Sequence, residues 1–116
     1  MLKQQYRLKK RKAFNYIYRH GKSIGSDCLT LVFVSAKMKD TDKRVGFSAS
    51  KKVGNSVIRH KSVRKMREAV RSLLNNIAPD HNYIFVAKEE IKNKTVLEIT
   101  KAVEYVLRKG GCFHEN

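Results

Sequence analysis

At Ser56 the apolar residues of this chain change their spacing, and that change limits the fold more than any other feature. Upstream, Leu29, Leu31 and Phe33 alternate with Thr30, Val32 and Val34, and Val45, Phe47 and Ala49 alternate with Gly46, Ser48 and Ser50. A period of two belongs to a strand, whose successive side chains point to opposite faces. From Ser56 to Ile77 the residues Val63, Met66, Val70, Leu73, Leu74 and Ile77 recur at every third or fourth position instead. That is one stripe of a helix turning about 100° per residue. Lys61, Arg64, Lys65, Arg67, Glu68 and Arg71 occupy the remaining arc. One face of this helix is expected to pack on a sheet; the other is almost wholly cationic.

The flanking segments complete the pattern. Phe14, Ile17 and Tyr18 are spaced i, i+3, i+4, and Gly21 can end a helix in the left-handed conformation, so residues 11–20 read as a short helix. Ser23–Gly25 offers a weak extra strand, and a polar turn around Asp40, Thr41 and Asp42 joins the two alternating strands. Pro79 forbids further helix, and Tyr83–Ala87 is a continuous apolar run, as in a strand covered on both sides. Thr95 opens a last helix with Val96, Ile99, Val103, Val106 and Leu107 inward and Gly110 past its end. The expected architecture is an α+β two-layer sandwich in the order αβββαβα, with a parallel pair across the strand–helix–strand crossover in an otherwise antiparallel sheet. At 116 residues, without repeats or a linker, the chain reads as one domain spanning 1–116, with a loose tail over 110–116.

Charge points to the partner. Lys and Arg number 26 against 10 Asp and Glu, a formal charge of +16, and the pI near 10.2 exceeds the roughly 9 at which a domain reads as a nucleic-acid binder. Residues 1–22 hold 8 Lys/Arg and no acid, and residues 51–71 hold 8 with only Glu68, whereas residues 72–116 carry 6 of each sign. Two segments thus hold nearly all the excess, which an evenly solvated surface would not produce. No run reaches the roughly 18 apolar residues of a membrane span, and the basic start lacks the apolar stretch of a signal peptide. Cys28 and Cys112 are too few for a disulfide framework. The expected setting is cytoplasmic, with no membrane partner.

Catalytic constellations are sparse. Asp40 with Asp42 and Glu89 with Glu90 have no visible partner cluster for a metal-dependent nuclease, and His20, His60, His81 and His114 lack zinc-ligand spacing beyond a lone Cys112–His114 pair. Neither a metal site nor a catalytic side chain is expected. Binding features are richer. Lys51 and Lys52 precede Gly54, where the backbone can turn tightly, and Asn55 or Ser56 can cap the helix whose open N-terminus is itself an anion site. Arg59, Arg64, Lys65, Arg67 and Arg71 extend the positive surface, and arginine grips phosphate with a forked donor set. On the first helix Phe14 and Tyr18 share a face. They are either core or one wall of a groove over the strand face bearing Thr30, Ser48 and Ser50, where bases of a single strand could stack.

The run from Arg44 through Val57 (Arg-Val-Gly-Phe-Ser-Ala-Ser-Lys-Lys-Val-Gly-Asn-Ser-Val), followed by Arg59, Arg64, Arg67 and Glu68, resembles the signature of the bacterial ribonuclease P protein subunit. Leu8-Lys9 with Phe14 and Gly21 resembles its opening. The resemblance spans nearly the whole chain. It implies a left-handed strand–helix–strand crossover, against the usual hand. It also implies that Mg²⁺-dependent endonucleolytic removal of the 5′ leader from precursor tRNA is performed by a partner RNA, which binds most of the Mg²⁺. Carried onto this sequence, the catalytic-RNA contacts fall on Lys52, Asn55, Arg59, Arg64, Lys65 and Arg67. Lys51, His60, Lys61 and Arg71 lie in the same surface. The leader groove falls on Phe14, Tyr18, Thr30, Val32, Ser48 and Ser50. The chain departs from the family pattern at His60, where asparagine is usual, at Lys61, Ser62 and Val63 in place of Arg-Ile-Lys, and at Val32 in place of an aromatic. No protein partner is implied. The competing reading is a structural, ribosome-associated RNA-binding protein without a leader groove.

Overall fold

The computed structural model describes residues 7–8, 10–35, 44–79 and 81–115. In chain order they form α1 (Arg11–His20), β1 (Lys22–Gly25), β2 (Leu29–Ser35), β3 (Arg44–Ser48), α2 (Ser56–Ser72), β4 (His81–Ala87) and α3 (Val96–Lys109), with 3-10 turns at Leu74–Asn76 and Glu89–Asn93. The sheet order is β1-β2-β4-β3. β2 pairs antiparallel with β1 and β4, and β3 runs parallel to β4. The crossover through α2 therefore inserts β4 between the two alternating strands, β2 and β3. The polar turn expected around Asp40 lies outside the described residues.

Burial follows the strand period. Leu29, Leu31, Phe33, Val45, Tyr83 and Phe85 turn to the face covered by α2 and α3 and form the main core with Met66, Val70, Ile99, Val103 and Leu107. Val32 and Ile84 turn the other way and meet Ile17 of α1 in a second, smaller cluster. Central β4 is covered on both sides, so Tyr83, Ile84 and Phe85 are all fully buried, each large side chain contributing about 1.5–3 kcal/mol. The Tyr83 hydroxyl donates to the Ala78 carbonyl at 2.6 Å, and burial pushes its phenol well above the ordinary range.

Three expectations need correction. Gly21 is extended (φ −81°, ψ 161°) rather than left-handed. A Cβ there would meet the Ile17 and Phe33 carbonyl oxygens at 2.5 and 2.8 Å, so close approach of α1 to β2 is what requires glycine. α2 stops at Ser72, short of Ile77. The Leu73 N–H returns to the Val70 carbonyl, the following turn is 3-10, and Ile77 bridges antiparallel to Phe113. The same bridge docks the segment expected to be a loose tail. Cys112 is buried, its carbonyl accepts from Ala78 N–H, and His114 N–H donates to Asn76.

Candidate nucleic-acid interface

The turn before α2 is set by short-range bonds. Val53 N–H donates to the Ser50 carbonyl and Gly54 N–H to that of Lys51, while the Val53 side chain is buried. Lys51 and Lys52 are thereby held exposed. Gly54 has φ +153°, and a Cβ there would lie 2.9 Å from the Ile58 side chain, so both backbone and space require glycine. Of the two expected caps, Asn55 is the one used: its Oδ1 accepts from Ile58 N–H at 3.0 Å. The first turn of α2 carries no acid, so no side chain of that turn offsets its N-terminal partial charge.

Along α2, Ser62, Met66, Ala69 and Val70 face inward. Two small residues thus take places on the buried stripe that an apolar count overlooks. Arg59, Val63 and Arg67 border a depression of about 310 Å³ beside β3, shared with Ala49 and His60. The Arg67 guanidinium lies 5.8 Å from the Phe47 ring centroid. Burial, and then the neighbouring Arg7 charge, hold its pKa below the ordinary range. The Nε atoms of Arg59 and Arg67 are both buried without an acceptor. An unmade hydrogen bond of this kind costs about 1–3 kcal/mol, more on a charged group, and an anion in that depression would relieve it.

Three further depressions adjoin. His60, Arg64, Arg67, Glu68 and Arg71 line one of about 490 Å³; Ser56, Val57, His60, Lys61 and Arg64 line one of about 420 Å³. Lys61 also opens onto a cleft of about 330 Å³ with Ile58, Ser62, Lys65, Lys92 and Asn93. Shared residues make the four one continuous track around α2, with Glu68 as the single carboxylate in its lining among the described residues. Lys65 is half-buried and turned to the far flank, where its Nζ donates to the Lys94 carbonyl at 2.9 Å.

On the opposite sheet face, the pairing register aligns Gly25, Thr30, Val86 and Ser48 in one row. The next row holds Ser23, Val32, Ile84 and Gly46, with Ile17 of α1 packed on it. Phe14 is wedged against Gly46, where an added Cβ would stand 2.5 Å from its ring, and packs into the smaller cluster. Tyr18, spaced to share its face, is 46% exposed. Thr30 and Ser48 are half-buried in the first row, and Ser50 lies exposed beyond the end of β3. Val32 is buried beneath α1 as floor. Of this pair, Phe14 is thus mainly packing and Tyr18 is presented outward.

Lys92 and Asn93 were missed in the sequence. The 72–116 segment is balanced in charge, and nothing in its spacing announces that the Glu89–Asn93 turn stands beside α2. Among the described residues, no three His, Cys, Asp or Glu converge to hold a metal ion, and no helix is long and apolar enough to cross a membrane.

A family model described as Ribonuclease P matches residues 2–111. The ribonuclease P protein component of Clostridium botulinum is 39% identical over 115 residues, covering 95% of this chain and 92% of the relative. That of Clostridium novyi is 39% identical over 114 residues, covering 97% and 100%. The RNase P protein of Staphylococcus aureus superposes with a TM-score of 0.83 at 32% identity, over 94% of this chain and 98% of that one. The Thermotoga maritima RNase P protein has the same fold, with a TM-score of 0.78 at 22% identity over 89% and 96%. With family model, relatives and fold in agreement across nearly its whole length, the chain belongs to the bacterial ribonuclease P protein family, the RNA-binding protein components of the tRNA-processing endoribonuclease.

Proposed function

We propose that this protein binds the catalytic RNA of ribonuclease P through α2 and the turn before it, and the single-stranded 5′ leader of precursor tRNA through the groove beside α1. The observation that carries the reading is the pair of buried, acceptor-less arginine Nε atoms on the track around α2. Two such donors cost stability in the free protein and gain it on meeting a phosphate. Lys51, Lys52, Asn55, Arg59, His60, Lys61, Arg64, Lys65, Arg67 and Arg71 would meet the catalytic RNA. Asn55 uses its carbonyl oxygen on the cap, which leaves its amide as the group to offer. Tyr18, together with Thr30, Ser48 and Ser50 of the same sheet face, would meet the leader, with Phe14 and Val32 packed beneath.

In this scheme the partner RNA performs the hydrolysis and holds the Mg²⁺. The chain's own work is electrostatic and positional. Its cations offset repulsion between two RNAs, and its groove fixes the leader beside the scissile phosphate, lowering the cost of binding and alignment more than that of bond breaking. Such a protein works in the cytoplasm, where tRNA precursors are made.

The test is reconstitution with the catalytic RNA and labelled precursor or mature tRNA. The complete holoenzyme should cleave at lower Mg²⁺ than the RNA alone, and the RNA-free protein should not cleave. Arg59→Ala with Arg67→Ala should weaken assembly by about a hundredfold or more, since each of the two lost bonds to a charged group contributes about 1.5–3 kcal/mol. Tyr18→Ala should weaken precursor but not mature tRNA, by the roughly 1–3 kcal/mol of one stacked base. Cleavage by purified protein without RNA, or assembly indifferent to the double substitution, would sink the reading.

A further inference from the structure

We propose that the cleft between α2 and the Glu89–Asn93 turn is a second phosphate site, in which Lys61, Lys65, Lys92 and Asn93 take a backbone phosphate of the catalytic RNA on the flank of α2 facing away from Arg59 and Arg67. The inference rests on the reading that α2 binds RNA and adds Lys92 and Asn93, to which neither the sequence nor the family motif points.

Three ammonium-bearing side chains line one concavity of about 330 Å³ over Ile58 and Ser62, with no carboxylate in its wall among the described residues. Lys92 Nζ stands 3.9 Å from Glu89, itself mostly exposed, a pairing worth little in solvent. Like charges gathered in a hollow focus a positive potential there and favour an anion. Lysine suits a phosphate as a point charge, and Asn93 adds amide donors.

The cleft is also built in advance. Ile91 is fully buried, the turn closes through Ile91 N–H to Lys88 and Lys94 N–H to Ile91, and Lys65 Nζ clamps the Lys94 carbonyl to α2 at 2.9 Å. Asp27 holds Lys94 from the other side at 3.0 Å. Little ordering cost then remains for binding. The ligand is RNA rather than a free anion because Lys61 joins this cleft to the depression lined by His60 and Arg64, so one backbone can follow the track from one flank of α2 to the other.

The experiment measures assembly of the full-length protein with its catalytic RNA as a function of salt, comparing wild type, Lys92→Ala, Lys101→Ala and Arg59→Ala/Arg67→Ala. Lys101 is exposed on α3 and removes the same charge from elsewhere. One lost phosphate contact lowers the slope of log K against log salt by about 0.7–0.9, or about four- to fivefold in affinity near about 0.15 M salt. Lys92→Ala should show that loss with an unchanged unfolding midpoint, Lys101→Ala should not, and RNA should protect Lys92 but not Lys101 from acylation. A Lys92→Ala slope equal to that of wild type overturns the proposal, as does protection of Lys92 by pyrophosphate but not by RNA. Loss in the arginine variant with no effect at Lys92 defeats this site alone; indifference in both defeats the reading beneath it.

Discussion

α2 and α3 lie against each other on the same face of the same sheet, yet they treat their charges in opposite ways. α3 opens on a reciprocal capping box between Thr95 and Glu98. Arg108 pairs with Glu104 at 2.8 Å and Glu115 at 2.7 Å and covers the Phe113 ring at 4.2 Å. α2 opens on an uncharged cap and keeps two guanidinium Nε atoms without acceptors. Among the described residues, none of its cations is within 4.0 Å of a carboxylate. A helix selected for stability alone would look like α3. Under the proposed function, that difference separates the helix that holds the fold from the helix that would hold the ligand.

The sharpest break in that comparison comes from the core of α3. Leu107 is fully buried, and Leu107→Ala should cost about 2–5 kcal/mol of unfolding free energy, transfer and cavity together. The affinity of the protein that remains folded for catalytic RNA should not change. Denaturant titration alongside binding measured below the unfolding midpoint tests this; a specific loss of affinity would place α3 in the interface.

Gly54→Ala joins the two roles. It forces a side chain into φ +153° and against Ile58, a strain of about 1–3 kcal/mol, at the residue just before the α2 cap. Stability and RNA affinity should fall together, unlike the arginine substitutions, which should lower affinity without lowering stability. Unchanged affinity in the folded fraction would show that the turn does not set the position of the N-terminal half of α2.

Much of this was legible in residue spacing, for definite reasons. Strand period, helix stripe and the cap at Thr95 are local, so α1, β2, β4 and α3 could be placed from neighbours in sequence. What escaped depends on distant partners. The end of α2 is decided by Ile77 bridging Phe113, and the docking of residues 111–115 by Cys112 and His114 bonding to Ala78 and Asn76; no periodicity contains those contacts. The site divides likewise. Charge density marked α2, but only the fold brings Lys92 and Asn93 to its flank. Only packing shows that Val32 is floor and Tyr18 is outward.

The smallest effect tests the balanced side of the comparison through pH. Thr95 Oγ1 accepts from Glu98 N–H at 3.2 Å, and Glu98 Oε1 accepts from Thr95 N–H at 3.0 Å. The backbone bond from Thr95, and then its hydroxyl, hold the Glu98 carboxyl below its ordinary 4.5. A carboxyl whose folded pKa is depressed binds protons less readily in the folded state. Its stabilisation is therefore fully present above the unfolded value and disappears as pH falls through the folded one. Thr95→Ala should cost about 1 kcal/mol at neutral pH, as for other N-caps. Glu98→Gln should be less stable than wild type at neutral pH, with the gap closing on acidification below the ordinary carboxylate value. Neither substitution should move the salt slope for RNA, because Glu98 meets its charge within the cap; a pH-independent gap for Glu98→Gln would show that the carboxylate's charge contributes nothing to the cap.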